Sequence, residues 1–106
     1  MNYMTPTQLK EYLEHANPPP LLLDVREPWE YEICHIEGTR LIPMSQVPGK
    51  VNELERDQEI VVICHHGRRS EQVGLYLQRM GFTRIVNLTG GVHGWAREVD
   101  PSMPTY

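Results

Sequence analysis

Apolar residues in this chain fall into short blocks separated by polar, proline-bearing and glycine-bearing stretches, and the blocks alternate between two periodicities. Leu9, Tyr12 and Leu13 recur at helical spacing behind Thr5-Pro6-Thr7-Gln8. Thr5 can cap that helix, Pro6 suits its first turn and Gln8 can close a capping box. Asn17-Pro18-Pro19-Pro20 is a stiff connector that should end it. Leu21-Leu22-Leu23-Asp24-Val25 is a short apolar run of the kind covered on both faces in a buried strand. A short helix is expected over Glu27 to Ile33 with Pro28 near its start, and a second strand over Thr39 to Ile42, ended by Pro43. The stretch from Ser45 to Arg56 reads as partly helical, interrupted at Pro48-Gly49. Glu59 to Ile63 is the clearest strand and Ser70 to Met80 the clearest helix, stopped by Gly81. Ile85 to Leu88 is a further strand, and Gly90-Gly91 leads into a short helix holding Trp95. Helix and strand thus alternate from one end to the other. The fold class this predicts is α/β, a small mainly parallel sheet flanked by helices on both faces.

Composition narrows the function classes. The 106 residues suffice for one domain, residues 1–106, with 100–106 expected to be an extended tail. With 40% hydrophobic and 23% charged residues the chain is of ordinary globular type. A net charge of −4 gives no reason to expect nucleic acid as a partner, so any positive site must be local. The longest apolar run, Ile60-Val61-Val62-Ile63-Cys64, is strand-length and does not span a bilayer. The first residues lack the basic region and apolar core of a signal peptide, so no membrane association and a cytoplasmic location are expected. Of the two cysteines, Cys34 and Cys64, both are expected as free thiols in that compartment.

Candidate chemistry concentrates in Cys64-His65-His66-Gly67-Arg68-Arg69-Ser70. A buried strand ends, a tight loop follows and a helix begins, which places Cys64 at the carboxyl end of a strand, where open α/β sheets bind ligands. The helix start offers unpaired N–H groups and the positive end of its dipole. Loop amides can form an anion nest, and Arg68 and Arg69 add fixed positive charge. Such surroundings bring a thiol from ~8.5 into a range of roughly 3.5–7.5, which makes a nucleophilic thiolate at neutral pH. Gly67 lets the loop close tightly. Against this stands the reading of Cys64 as a structural cysteine at a strand end. The coincidence of cysteine, glycine, arginines and helix start favours the reactive thiol.

The same loop resembles that of the rhodanese family in the spacing of its cysteine, glycine and arginine. Leu23-Asp24-Val25-Arg26-Glu27 with Trp29-Glu30-Tyr31 resembles that family's first signature. His35-Ile36-Glu37-Gly38-Thr39 with Ile42-Pro43 resembles the second, and Leu88-Thr89-Gly90-Gly91 with Trp95 the last. The resemblance runs in order from about residue 5 to 95. It implies a rhodanese-like sheet and a thiosulfate sulfurtransferase. In such an enzyme Cys64 takes a sulfane sulfur from a small donor such as thiosulfate and passes it to a thiophilic acceptor, cyanide or a thiol. Cys64 is then the catalytic nucleophile. His65, His66, Gly67, Arg68 and Arg69 form the substrate-binding loop, with Arg69 expected to face an anionic donor. Related phosphatases place arginine six positions after cysteine. Here Arg69 is five positions after Cys64, which suits a single sulfur atom better than a tetrahedral oxyanion. The alternative under the same resemblance is a persulfide carrier or docking module loaded by a partner protein, with little turnover on thiosulfate; a sulfur-carrier protein is a further expected partner.

Cys34 departs from the family's glycine at that position and reads either as a resolving thiol or as a packed small residue; packing is favoured. Asp24 and Arg26 are expected to buttress loops, His35 to be structural, and Trp29 and Trp95 to pack. No cofactor and no metal are expected. Ligands at adjacent positions, as at Cys34-His35 and Cys64-His65-His66, do not match the usual few-residue spacing of zinc sites. His15 and His93 have no evident role.

Overall fold

The computed structural model describes all residues 1–106. Five strands form one wholly parallel sheet: β1 (Asn2–Met4), β2 (Leu21–Asp24), β3 (Arg40–Leu41), β4 (Ile60–Ile63) and β5 (Ile85–Leu88), in spatial order β1-β5-β4-β2-β3. Five helices lie between and after them: α1 (Pro6–His15), α2 (Pro28–Ile33), α3 (Val47–Lys50), α4 (Arg68–Arg79) and α5 (Gly91–Glu98). The alternating α/β architecture expected from the hydrophobic pattern is the one observed.

The strands follow from their side chains. β4 and β5 are buried at every position and β2 at all but its first, as befits parallel strands covered on both sides. Successive residues point to opposite faces. Ile60, Val62 and Cys64 of β4 and its end join Leu23, Val25 and Ile85 in a core beneath α3 and α4. Val61, Ile63, Leu22, Val86 and Leu88 join Leu9, Cys34, Val92 and Trp95 in a second core, beneath α1 and α5. The edge strands β1 and β3 are short, which limits pairing with other chains.

Local signals act as expected at α1. Thr5 accepts from the Gln8 N–H and the Gln8 side chain returns to the Thr5 N–H, a complete capping box. Three expectations need correction. A strand, β1, precedes the first helix; its residues Asn2, Tyr3 and Met4 are too few and too exposed to show a pattern, and pairing with β5 through Asn2↔Val86 creates it. Pro48-Gly49 does not interrupt the Ser45–Arg56 stretch but lies inside α3, where Pro48 sits in the first turn and costs no hydrogen bond. Short 3₁₀ turns, Met44–Gln46 and Val51–Glu53, flank it. The tail is not extended throughout: it turns at Asp100–Ser102 and returns to the protein at Tyr106.

The strand order reverses between β2 and β4. From β2 the chain first moves outward to β3, then crosses back to β4 and continues to β5. The carboxyl ends of β2 and β4 thus flank the crevice where this topology places ligands. Arg26 follows one of those ends and Cys64 the other.

Candidate active site

Cys64 is 1% exposed and sits at the mouth of β4, on the face covered by α4. The chain then runs through His65, His66 and Gly67 into α4. Gly67 caps that helix in the left-handed region (φ +106°), and its N–H donates to Cys64 Sγ at 3.0 Å. The N–H groups of His65, His66, Arg68, Arg69 and Ser70 make no hydrogen bond within the protein. Three of them belong to the first turn of α4, where an α-helix leaves donors unpaired and carries the positive end of its dipole.

Beneath the loop lies a polar chain in an otherwise apolar layer. Cys64 Sγ is 3.3 Å from Ser70 Oγ, and the Ser70 hydroxyl also meets Asn87 Oδ1 at 2.5 Å. Asn87 Nδ2 donates to the Gly67 carbonyl at 3.2 Å, which fixes the orientation of the amide. Ser70 is fully buried and Asn87 nearly so. A hydroxyl has one proton, so Ser70 can donate to Asn87 or to the sulfur, but not to both at once.

The loop is held from the β5 side by α5. Val92 N–H donates to the Cys64 carbonyl at 2.9 Å and His93 N–H to the His65 carbonyl at 3.1 Å. This approach requires Gly91. A Cβ there would lie 2.3 Å from the Cys64 carbonyl oxygen and 2.5 Å from that of His65, and the backbone is at φ +58°.

Charge is arranged in pairs. Arg26 is wholly buried and makes a bidentate pair with Asp24, with contacts of 2.7–3.1 Å. Its remaining donors reach the Glu30 carbonyl, the Cys34 carbonyl and the Tyr106 hydroxyl. Burial pulls the guanidinium down, but the hydrogen bonds with Asp24 and Tyr106 outweigh it and hold the group above its usual range. Asp24 and Arg26 thus fasten β2 to the end of α2. Arg69 forms a second bidentate pair, with Glu30, at 2.8 Å for both contacts. That bonding lowers the Glu30 carboxyl to about 2, against the opposing effect of burial. It also raises Arg69, against the opposing effect of burial. Sequence reading pointed Arg69 at an anionic donor; its guanidinium already faces the Glu30 carboxylate. Arg68 is exposed and has no carboxylate partner.

Tyr106 closes the arrangement. Its hydroxyl accepts from Arg26 and donates to Glu30, each at 2.9 Å, and its ring stacks on His65 at 3.8 Å with the planes 4° apart. Burial pushes the phenol up to about 12, aided by Glu30 and opposed by Arg26. His65 is lowered, chiefly by burial and then by the neighbouring His66.

Cys34 packs in the core on the opposite side of the sheet from Cys64, and both thiols are free. His35 stacks on Tyr31, and its Nδ1–H donates to the Tyr31 carbonyl at 2.9 Å. Trp95 packs in the core as expected, whereas Trp29 is 60% exposed and meets the edge of Tyr106. The expected loop residues, Cys64 through Arg69, are contiguous here. Sequence reading missed Asn87 and Tyr106. A lone amide between Val86 and Leu88 in a buried strand was a usable signal for the first; nothing local marks the second.

Comparison with known proteins places this geometry. The Rhodanese-like domain family model matches residues 5–98. The protein named "Putative sulfur carrier protein YrkF" of Bacillus subtilis is 40% identical over 79 residues, covering 74% of this chain and 43% of that protein. A sulfurtransferase of Allochromatium vinosum is 38% identical over 77 residues, covering 73% and 72%. The chain therefore spans less than half the length of some relatives it matches. The crystal structure of a rhodanese-like domain protein from Staphylococcus aureus superposes with a TM-score of 0.85 at 30% identity, over 100% of this chain and 99% of the other. No helix is long and apolar enough to cross a membrane. A parallel sheet with a cysteine loop at its switch point and a match over nearly the whole chain lead to one conclusion: the chain belongs to the rhodanese-like domain family.

Proposed function

We propose that this chain moves a sulfane sulfur from a small donor such as thiosulfate to a thiophilic acceptor, through a persulfide on Cys64. The observation that carries this reading is the sulfur itself, held 3.0 Å from the Gly67 N–H below a loop whose other amides are unengaged. Those donors favour an anion on Cys64, first a thiolate and then the longer persulfide.

The Cys64 thiolate attacks the outer sulfur of thiosulfate. A Cys64–sulfur bond forms, the sulfur–sulfur bond of the donor breaks, and its electron pair leaves with sulfite. The terminal persulfide sulfur is then attacked by cyanide or a thiolate. The acceptor–sulfur bond forms and the pair from the cleaved sulfur–sulfur bond returns to Cys64. No net oxidation occurs over the cycle. The Ser70 hydroxyl turns from Asn87 to the sulfur when the latter is anionic, adding a donor from below. Arg68, the loop guanidinium without a carboxylate partner, meets the sulfonate end of the donor. Arg69 acts through Glu30, holding α2 against the loop. His65, His66 and Gly67 complete the binding loop.

A carrier role is the second reading, favoured by the likeness to the YrkF protein. The two differ in turnover. Steady-state thiocyanate formation from thiosulfate and cyanide, abolished in Cys64→Ser, is expected for the enzyme. Thiocyanate formation no faster than in Cys64→Ser, alongside loading of Cys64 by a persulfide-bearing protein, would replace the enzyme by the carrier.

A further inference from the structure

His65, His66 and His93 come from two separate elements, the cysteine loop and the first turns of α5. One ring nitrogen from each lies within 4.8 Å of the others. The adjacent residues His65 and His66 do not diverge: their ring centres are 3.9 Å apart, and that of His66 is 5.0 Å from that of His93. The spacing in sequence had argued against metal ligation at these positions. The loop overrides it by turning both rings to one side, and the His93 N–H to His65 carbonyl bond brings the third ring to them.

A second observation points the same way. His65 Nε2 and His93 Nδ1 are shielded from solvent and have no hydrogen-bond partner. They are the only shielded side-chain nitrogen or oxygen atoms in the chain left so. An unpartnered polar atom in such a place is costly, and native structures seldom keep one without a use. The two rings that carry them have centres 6.2 Å apart, and a neutral imidazole offers one nitrogen lone pair to a metal.

We propose that His65, His66 and His93 bind a divalent first-row transition-metal ion of the zinc type. Imidazole nitrogen is the donor such ions prefer, whereas calcium and magnesium require oxygen. Three points no more than 4.8 Å apart can share a centre roughly 2.8 Å from each, and a zinc–nitrogen bond is ~2.0–2.1 Å. Each nitrogen would have to move by less than about 1 Å to reach that bond length. His66 and His93 also line a cavity of about 340 Å³ bounded by Gly90, Gly94, Arg97 and Glu98. It leaves room for a fourth, exogenous ligand, the arrangement of three protein ligands with one open position. The ion would tie the loop to α5. The site uses no sulfur, although His65 and His66 also belong to the loop around Cys64.

The test is titration of the full chain, free of any polyhistidine tag, with Co²⁺ followed by visible absorption and then displacement by Zn²⁺. One Co²⁺ per chain is expected, with the strong visible bands of a four- or five-coordinate site and no near-ultraviolet sulfur-to-cobalt charge transfer. His93→Asn and His66→Asn should each weaken binding by at least ~10-fold. Cys64→Ser and His15→Asn should leave it unchanged. His66 is exposed, so its substitution keeps the test valid if His93→Asn fails to fold. Absence of stoichiometric binding, undiminished affinity in folded His66→Asn, or loss of binding in Cys64→Ser would each overturn the proposal.

Discussion

Asn87 pairs in register with Val62, two residues before Cys64, so its side chain lies on the same face of the sheet as the thiol. It is a polar residue in a strand whose other members are all apolar, and it is tolerated because both ends of its amide are satisfied, by Ser70 and by the Gly67 carbonyl. Asn87→Ala removes both partners at once and should cost about 1–3 kcal/mol, read by chemical denaturation. It should also slow persulfide formation per folded molecule; an unchanged rate would reduce Asn87 to packing. Glu30 gives a pH-dependent expectation. Its carboxyl titrates at about 2 when folded and near its ordinary value when unfolded. Between those values the unfolded chain binds the extra proton, so stability is full above the ordinary value and falls as pH drops toward 2. Arg69 is partly exposed, so solvent screens the pair and the loss is of order 1 kcal/mol. Glu30→Gln should flatten that acid limb in denaturation curves taken from pH 5 to pH 2.

The contact between the loop and α5 shows what an element boundary can demand of one position. At Gly91 a methyl group meets two carbonyl oxygens and the backbone is left-handed, so strain and overlap add. Gly38 shares the left-handed backbone (φ +84°), but a methyl group there would meet nothing within 4 Å. Gly38→Ala should therefore cost about 1–2 kcal/mol from backbone strain alone, and Gly91→Ala more than that together with loss of sulfur loading. Equal costs for the two in urea unfolding would contradict this account. The same boundary explains what was legible in the sequence. β2, β4, β5 and α4 follow from apolar runs and periodicity, and the capping box of α1 from four residues. β1 was not legible, because a three-residue edge strand exists only through its neighbour β5. The cysteine loop stands out in the sequence as a unit because Cys64 through Ser70 are consecutive. The direction of Arg69 was not, because Glu30, its partner, lies 39 positions away.

Across the whole molecule, residues far apart in sequence converge on the cysteine loop. Tyr106 joins Arg26 and Glu30 from 80 and 76 positions away and stacks on His65. Tyr106→Phe keeps the stacked ring and deletes both hydrogen bonds, one of them from a buried guanidinium. A loss of about 1–2 kcal/mol in denaturation is expected, with the cysteine loop undisturbed. Whether this convergence serves a persulfide on Cys64 is read by intact-protein mass spectrometry. Wild type and Cys64→Ser are incubated with thiosulfate and then with cyanide. A gain of one sulfur atom is expected on wild type alone, removed by cyanide with return of the original mass. An equal gain on Cys64→Ser, or no gain on wild type with either thiosulfate or a persulfide-bearing protein as donor, would contradict it.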